Sequence, residues 1–524
     1  APPTEKPKPP GPDEPSQLPI QSLAVGEFLI SNGTVLWIDR TTGSKKEIQD
    51  LRLELGNVSL DKPIQVQLSA MLDGRPISLD GTAGPVGKEP GKSAVPVEMQ
   101  VKAFKEMDME ITGTIRDAAS SPEFDLDLEI SPFSPRNLVH ALGQKFPVAT
   151  ADPGALDSVA LKAKIQGHTR SIEINGGAMD LDESKMLFSL KAQEFDRPDL
   201  TFNLNVDKID LDRYLPPSQE KKPGEKKQGP PAGSREEGDY SALRRMILDG
   251  KIQIGDLQVK GAKIQNLKMK ITARNGLFRL DPLAMNMYQG GLDGVGTFDV
   301  RSETPKSSVT VLAKGIQVEP LFKDMLQKDF LEGLFVADLA LTMEGVEPLQ
   351  IKKTLNGKGE LVFTDGAIKG INLSGMAQKV KSAVGLTDTD KVKNRTDFSE
   401  LRIPFTATNG VIQTPGTTMV TPFMRMEATG KADLAKETLN FRVVPRLVAT
   451  LKGKGDTQRR TGIMVPILVS GTFTSPKFMP DMKGIAKEQL EKKVEELLKG
   501  REGEEPVPPG EKVKGILEKL PLGR

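Results

Sequence analysis

The sequence contains no cysteine and only two histidines among its 524 residues. Without cysteine there is neither a disulfide framework nor thiol chemistry, and this composition is compatible with an oxidising envelope compartment. A metal centre or catalytic triad built from histidine is not expected either. His140 falls in a predicted helix and His168 in a predicted turn, so we interpret both as structural.

Other scarce features exclude further classes of function. Aromatic residues make up 5% of the chain, with one Trp and three Tyr, whereas nucleobases and sugars are usually stacked on aromatic rings. The formal net charge is +1, so the basic footprint of a nucleic-acid-binding protein is missing. No run of about 18 apolar residues occurs, so we expect no membrane-spanning helix within this sequence.

What the sequence does contain is an apolar residue at every second position. Leu267, Met269 and Ile271 alternate with Lys268 and Lys270. The same pattern recurs at residues 124–130, 159–165, 202–206 and 439–443. Successive side chains of a strand point to opposite faces, so each segment has one apolar and one polar face. Helical crossovers do not separate the segments. The sequence therefore predicts an all-β fold with a mostly antiparallel sheet and a few short amphipathic helices.

Changes in composition divide the chain into five regions. Residues 1–19 read as a Pro-rich linker, and residues 20–215 as an N-terminal β-repeat region. Residues 216–238, rich in Pro, Lys, Glu and Gly, are predicted to be a disordered linker. A second β region covers residues 239–482. Residues 483–524 carry a helical apolar stripe, and we expect this tail to contact a membrane or a partner without completing the sheet.

Local signals predict turns and helices in the β regions. Asn-Gly and Asp-Gly pairs predict turns at residues 32–33, 73–74 and 80–81. Short helices are predicted where strands end, at residues 135–142 and 321–326, with a truncated one at 209–215. This recurrence suggests a degenerate repeat of several strands closed by a helical turn.

Pairs of aspartates are the main candidates for chemistry. Asp125 with Asp127, and Asp180 with Asp182, would share the outward face of a strand, an arrangement that can bind calcium or carry out paired carboxylate catalysis. No Asp-rich loop with the required glycine accompanies them, and no glycine loop suits a phosphate. A solvated sheet face explains the pairs better. We therefore predict no catalytic residues, no metal and no cofactor, and interpret the protein as a non-enzyme.

The apolar face of the sheet is the candidate binding surface. Its expected members are Leu257, Val259, Ile264, Leu267, Met269, Ile271, Met285, Met287, Met424, Met426, Phe441 and Val443. The methionines would form an adaptable lining for acyl chains, although ordinary core filling explains them nearly as well. The same alternation predicts that Lys260, Lys268 and Lys270 face water.

A run of motifs in the second half is more specific. A strand and a glycine turn that lead into a predicted helix occupy the run from Leu355 to Leu373, and further motifs follow in a fixed order as far as Asp481. This series resembles the C-terminal signature of the AsmA family of Gram-negative envelope proteins, whose relatives include TamB and YhdP. Fainter matches extend the resemblance over most of residues 20–481. We interpret the signature residues as turn residues: Gly357, Gly359, Asp365, Gly366, Gly370, Asn409, Gly410, Gly430, Asp433, Pro466 and Gly471.

The resemblance implies a long, curled sheet whose concave apolar face forms a groove. That groove would hold phospholipid and carry it between membranes, in a role that supports outer-membrane biogenesis. The resemblance also implies a periplasmic protein, anchored in the inner membrane through an N-terminal helix that this sequence does not contain. Phospholipid and other envelope proteins are the implied partners, and nucleic acid is not among them.

Two other classes of function stay open at this point. A β-rich scaffold could assist the insertion of outer-membrane proteins through edge-strand pairing without carrying lipid. A polysaccharide hydrolase with Asp pairs as acid and base is disfavoured by the scarcity of aromatic residues. Lipid that co-purifies with the protein would separate the lipid-carrying hypothesis from both alternatives.

Overall fold

The structure is a computed structural model. It describes residues 24–38, 45–87, 91–217, 239–370, 394–422, 424–447, 466–481 and 484. The chain divides into two compact units, one of residues 1–329 and 334–351 and the other of residues 330–333 and 352–524. The Pro-rich linker lies outside the described residues, as do all but two residues of the predicted disordered linker and all but one residue of the predicted helical tail. The predicted region boundaries remain predictions.

The first unit is built on a sheet in which each strand pairs with the next one along the chain. Its strands are β1 (Ala24–Ile38), β2 (Lys45–Ser59), β3 (Ile64–Leu72), β4 (Arg75–Ala83), β5 (Val95–Ala103), β6 (Met107–Arg116), β7 (Glu123–Phe133), β8 (Val159–His168), β9 (Ser171–Leu181), β10 (Ser184–Gln193), β11 (Asp199–Asp210), β12 (Ile247–Val259), β13 (Ala262–Arg274), β14 (Leu277–Met287), β15 (Gly290–Asp299), β16 (Lys306–Gln317) and β17 (Leu331–Glu344), the last belonging to this unit from Leu334 onward. These pairings are antiparallel except between β11 and β12. Antiparallel neighbours need only short turns, in agreement with the short connections along most of this unit.

The parallel pair follows from a long connection between its two strands. After β11 a 3-10 helix (Leu211–Arg213) forms, and the chain then returns to the other end of the sheet before β12 begins. Leu200 at the start of β11 therefore lies opposite Leu248 at the start of β12. Parallel neighbours require such a crossover because the chain must re-enter the sheet at the same end.

Helices are few and short in the part of the chain that the structure describes. They are α1 (Pro135–Ala141), α2 (Ser241–Arg245), α3 (Val318–Leu326) and α4 (Pro348–Thr354). The start of α1 is well specified, because Ser134 accepts a hydrogen bond from the Asn137 backbone N–H at 3.2 Å and Pro135 occupies the first turn. The longest of the four has nine residues, which corresponds to only about 14 Å of helix.

The second unit contains a further series of antiparallel strands. They are β18 (Asn356–Lys369), β19 (Arg395–Thr408), β20 (Val411–Val420), β21 (Met424–Asp433), β22 (Thr438–Leu447), β23 (Ile467–Thr472) and β24 (Ser475–Pro480). Each pairs with the next. The predicted fold, a long, curled and mostly antiparallel sheet with few helices, is confirmed. The helix predicted within the Leu355–Leu373 run falls beyond residue 370, outside the described residues.

The three predicted helices agree with the structure to different degrees. The helix at residues 135–142 is confirmed by α1, whereas α3 begins at Val318, three residues before the predicted start. The predicted start was placed after Pro320, but proline is tolerated in the first turn of a helix, and α3 includes it. The segment at residues 209–215 contributes only the last residues of β11 and the 3-10 turn.

Two of the three predicted turns are wrong. The turn at residues 73–74 is confirmed, but Asn32 lies inside β1 and Gly81 inside β4. Asn32 has φ 54° beside shifts in register with β2, so its left-handed conformation makes a bulge and not a turn. At Gly81 a Cβ would lie 2.0 Å from the carbonyl oxygen of Glu98 on β5. Glycine at this position therefore permits the close approach of two strands.

Candidate functional site

The strand register of the first unit brings apolar residues of neighbouring strands opposite one another. A single cross-strand row runs from β3 to β17 with one residue from each strand, and every member is apolar or glycine. The row consists of Ile64, Ala83, Val97, Gly113, Leu126, Ile165, Ile174, Leu190, Phe202, Gly250, Ile271, Leu280, Gly296, Val309 and Leu341. Directly opposite side chains share a face, so the row defines one continuous surface, which we term the apolar face.

The other face of the same sheet is polar over the same distance. The neighbouring row from β6 to β17 consists of Thr114, Asp125, Gln166, Glu173, Lys191, Thr201, Asp249, Thr272, Arg279, Thr297, Ser308 and Thr342. Adjacent members form hydrogen bonds, such as Gln166 to Asp125 at 3.0 Å and Thr297 with Ser308 at 2.6 Å. The two rows show that the alternation in each strand stays in phase across the sheet.

The second unit has the same two-faced character. One of its rows contains Gly357, Ala407, Ile412, Ala432, Leu439, Gly471 and Pro476, and the neighbouring polar row contains Lys358, Thr406, Gln413, Lys431, Asn440, Ser470 and Lys477. A second apolar face therefore exists within this unit.

Side chains on the apolar face of the first unit are not sealed as they would be in a closed core. Met269 and Ile271 are only half-buried. On β1, Phe28 is 46% exposed and Trp37 is 61% exposed. A packed interior buries such side chains almost completely. The described face is therefore accessible to a ligand over much of its area.

The predicted lining residues of the first unit divide into two groups. Leu257, Ile264 and Leu267 are 7–9% exposed and form a buried cluster. Val259, Met285 and Met287 are partly buried and pack against this cluster. These six side chains already pack against one another, so they belong to the core of the sheet and are not open to a ligand. Met269 and Ile271 lie farther along the strand and are the accessible members.

The predicted residues of the second unit also share one face. Met424 and Met426 are buried, with exposures of 1% and 4%, and Met426 lies opposite Met419 on the neighbouring strand. Phe441 and Val443 are half-buried on β22. The four residues lie on two neighbouring strands, and Val443 is opposite Ala428.

Most of the signature residues lie within strands, so their interpretation as turn residues is wrong. Strand positions hold Gly357, Gly359, Asp365, Gly366, Gly430 and Gly471. Asp365 has φ 51° within β18, and a Cβ at Gly366 or Gly430 would lie 2.1 or 2.3 Å from a neighbouring carbonyl oxygen. Glycine is needed at these two positions for close strand approach.

The remaining signature residues lie at strand ends. Asn409 and Gly410 form the turn between β19 and β20, with φ of 48° and 77°. Asp433 ends β21 and accepts hydrogen bonds from the backbone N–H groups of Ala435 and Lys436, at 3.1 and 3.0 Å. Gly370 follows β18 with φ 83°, and Pro466 is buried just before β23.

One aspartate of each candidate pair, Asp125 and Asp182, has structural partners. Asp182 accepts hydrogen bonds from the backbone N–H groups of Leu156, Asp157 and Ser158 at 2.9–3.0 Å, and from the Tyr214 hydroxyl at 2.8 Å. Burial would raise the pKa of Asp182, but these donors outweigh it and hold the pKa below its ordinary value. The carboxylate thereby fixes the β7–β8 loop to the end of the sheet.

Arg213 adds two ion pairs to the polar contacts of Asp182, and we term Asp152, Asp182, Glu183, Arg213 and Tyr214 together the polar latch. Its Nε donates to Asp152 at 2.7 Å and its Nη1 to Glu183. Hydrogen bonds to these two carboxylates raise the pKa of Arg213. Among the described residues, no group of three or more His, Asp or Glu side chains is arranged to hold a metal ion.

The apolar face includes residues that the prediction of lining residues missed. Val309, Val311, Leu339 and Leu341 continue it across β16 and β17, and they carry the same period of two. The aromatic pair Phe278 and Phe298, with ring centroids 6.2 Å apart, lies at one end of it. Single-strand patterns identify such residues, whereas their assembly into one surface depends on the register between strands.

Comparison with known families shows which family the chain belongs to. The family model described as the AsmA family matches residues 148–417, just over half of the chain. The chain belongs to the AsmA family. AsmA proteins are associated with the cell envelope and are not a known enzyme family. No protein of curated function and no solved structure matches the chain. None of the helices in the described part of this AsmA protein is long and apolar enough to span a membrane.

Proposed function

We propose that the apolar face of this AsmA protein holds the acyl chains of phospholipids. The observation that carries the proposal is the unbroken apolar row across fifteen strands, on a face whose side chains are only half-buried. Neighbouring strands lie about 4.8 Å apart, so this row extends over roughly 65 Å. Such a continuous surface offers a lipid a path from strand to strand.

Binding of an acyl chain to the apolar face requires no catalytic residue. Burial of an acyl chain contributes about 0.8 kcal/mol for each CH2 group removed from water. Because the face presents apolar side chains at every step, a lipid could move along it without leaving an apolar environment. We therefore propose a carrier function, and no chemical reaction.

Membership of the AsmA family supports a proposal for the cellular role. We propose a periplasmic protein, anchored in the inner membrane by a segment outside this sequence, that transports phospholipid between the membranes as a bridge and thereby supports outer-membrane biogenesis. Phospholipid, the inner membrane and other envelope proteins would be its partners.

One observation favours the alternative, an assembly factor that acts through strand pairing. β1 has 15 residues, contains no proline and exposes Val25 at 43% and Leu29 at 46%. Exposed apolar edges of this kind accept additional strands. β24 in the second unit is protected, since it has six residues and contains Pro476 and Pro480.

Lipid extraction and native mass spectrometry of the purified chain test the proposal. Phospholipid should co-purify with the wild type. Met269→Asp should reduce the retained lipid, because a carboxylate in an apolar path costs several kcal/mol unless it reaches water. Phe441→Asp tests the face of the second unit in the same way.

A matched control lies on the polar face. Gln253→Asp introduces the same charge on β12, opposite Lys268, and should leave lipid binding and the circular dichroism spectrum unchanged. Wild-type protein free of lipid, or full lipid binding by a folded Met269→Asp variant, would refute the proposal. Lipid-free wild-type protein that still pairs with a strand of another protein along β1 would support the assembly alternative.

A further inference from the structure

The apolar face of the first unit ends beside a group of arginines. Its last row includes Ala273, Phe278 and Phe298, which lie opposite one another on β13, β14 and β15. Tyr240, directly before α2, contacts the Phe298 ring edge-on with centroids 6.5 Å apart. α2 therefore sits at the end of the apolar face, and it ends with Arg244 and Arg245.

Arg244 is held in place by carbonyl oxygens. Its Nε donates to the Val300 carbonyl at 2.7 Å and its Nη2 to the Ser302 carbonyl at 3.2 Å. Its stem packs on the turn after β13, since a Cβ at Gly276 would lie 3.3 Å from the Arg244 Cγ. These neutral carbonyl partners orient the guanidinium without neutralising it, and Asp239 interacts with its charge only through space.

Two more arginines belong to the same region. Arg245 is exposed at the end of α2. Arg274 is the exposed last residue of β13, two residues before Gly276, and its strand position belongs to the polar face at this same end of the sheet. We term Arg244, Arg245 and Arg274 the arginine rim. Within the described part of the chain, none of the three has a carboxylate within ion-pair distance.

The carboxylates of the region are already engaged. Asp299 binds the Arg301 guanidinium through both oxygens, at 2.6–3.1 Å, and this contact lowers the pKa of Asp299 to about 2. Asp239 accepts hydrogen bonds from the backbone N–H and hydroxyl of Ser241, at 2.8 and 3.0 Å. The Asp239 carboxylate interacts electrostatically with Arg244 and Arg245. One carboxylate offsets only part of the charge of two guanidinium groups, so this part of the rim keeps a net positive charge.

We propose that the arginine rim binds the phosphate of an anionic phospholipid whose acyl chains lie on the apolar face. This inference rests on the proposed lipid-carrying function and adds selectivity for the headgroup. The phosphate would meet guanidinium donors at the point where the aromatic residues end, so charge and apolarity change at the same boundary as they do in the lipid. Guanidinium groups bind phosphate through paired hydrogen bonds, which makes arginine suited to this task.

The test is competition between two lipids with identical acyl chains. The purified chain is incubated with mixed vesicles of equal phosphatidylglycerol and phosphatidylcholine, and the retained lipids are quantified by mass spectrometry. The wild type should retain an excess of phosphatidylglycerol. In the triple variant Arg244→Gln, Arg245→Gln, Arg274→Gln this preference should fall by at least about fivefold, the factor that corresponds to one lost attraction between arginine and an anionic lipid. Retention of phosphatidylcholine should fall much less, because its choline cation offsets the charge of its phosphate.

Controls separate the rim from general charge effects. Lys102→Gln, Lys185→Gln, Lys191→Gln removes the same charge from exposed positions elsewhere in the unit and should keep the preference. Inorganic phosphate added in excess should not displace the lipid, since the rim alone lacks the apolar contacts. If the triple variant loses its fold, Arg245→Gln with Arg274→Gln, two exposed residues, replaces it.

Each outcome decides the proposal. Equal retention of both lipids by the wild type, loss of both lipids in the triple variant, or displacement by phosphate alone would overturn it. If Met269→Asp abolishes retention while the triple variant keeps the wild-type preference, the carrier function stands and the rim proposal fails. Absence of any retained lipid from the wild type would refute both.

Discussion

Asp182 illustrates how a polar residue on this sheet acts on the folded chain. Period-two spacing pairs it with Asp180 as a candidate for chemistry, yet its oxygens are occupied by one hydroxyl and three backbone N–H groups. The donors come from residues 156–158 and 214, which are distant from Asp182 in sequence. Only the folded chain brings them together, so spacing alone misidentifies the role.

Asp182→Asn should lower the free energy of unfolding at pH 7 by about 1–3 kcal/mol, because an amide oxygen cannot accept all of these hydrogen bonds. Folding depresses the pKa of Asp182, so its contribution is present above the ordinary carboxyl pKa and is lost as the pH falls through the folded value. Urea unfolding at pH 7 and at several pH values below about 3.9 should show the two proteins converging.

Asp180→Asn is the control, because Asp180 is exposed, and it should change stability by less than about 0.5 kcal/mol. A difference in the free energy of unfolding between wild type and Asp182→Asn that stays constant down to acid pH would contradict the proposed stabilising role of the Asp182 carboxylate.

Trp37 gives a direct optical readout of the apolar face. It is the only tryptophan in the chain and is 61% exposed, two residues along β1 from Val35, which lies opposite Ile48. Phospholipid binding should move its fluorescence emission to shorter wavelength as the indole leaves water. Gln253→Asp should behave like the wild type, and Met269→Asp should show a smaller shift at equal lipid. Unchanged emission in lipid-loaded protein would place the lipid away from β1.

At the level of elements, glycines and prolines decide where strands and helices end. Asn-Gly pairs form a bulge within β1 and a turn after β19, although the dipeptide is the same. The difference arises from the partner strand, since β2 continues past the bulge and keeps β1 extended. α3 shows the related effect of Pro320, which is accommodated in the first turn.

Gly410→Ala tests the turn between β19 and β20. A Cβ there would lie 2.0 Å from the Lys352 carbonyl oxygen, at a φ of 77°, so clash and strain should together lower the free energy of unfolding by more than about 1 kcal/mol. Gly370→Ala is the matched control in the same unit, with a φ of 83° and no atom within 4 Å of the added Cβ. It carries the strain without the clash and should cost less. Equal losses in denaturant unfolding would show that the close approach to Lys352 is unimportant.

At the scale of the whole molecule, the sheet is stabilised by many modest pairings and by a thin core. Buried clusters such as that of Leu257, Ile264 and Leu267 occur beside stretches of half-buried face. Within each described unit the hydrogen bonds of the backbone ladder hold neighbouring strands together, so a thin core is compatible with an exposed apolar surface. This property makes an extended binding face compatible with a folded protein.

Truncation separates the sheet from the predicted tail. Removal of residues 485–524 should leave the unfolding midpoint nearly unchanged, because the second unit retains the Arg442–Asp481 ion pair at 2.8 Å and the hydrogen bond from the Gly484 N–H to Asp481 at 2.8 Å. Truncation after Thr472 removes β24 as well and should lower the midpoint, since β23 loses that neighbour. Thermal circular dichroism measures both. A collapse of the β signal on the shorter truncation would mean that the tail belongs to the core.

The sequence by itself determined the class of fold, the two faces of each strand and the family. Alternation at Leu267, Met269 and Ile271 fixes which side chains share a face, because the backbone geometry of a strand is local. The tertiary structure decided which strands are neighbours, which glycines serve close approach, and which apolar residues are packed or accessible. It also brought Arg244 and Arg245 of α2 to the same end of the sheet as Arg274, the last residue of β13. These features depend on the register between strands and on contacts distant in sequence, and no local pattern encodes them.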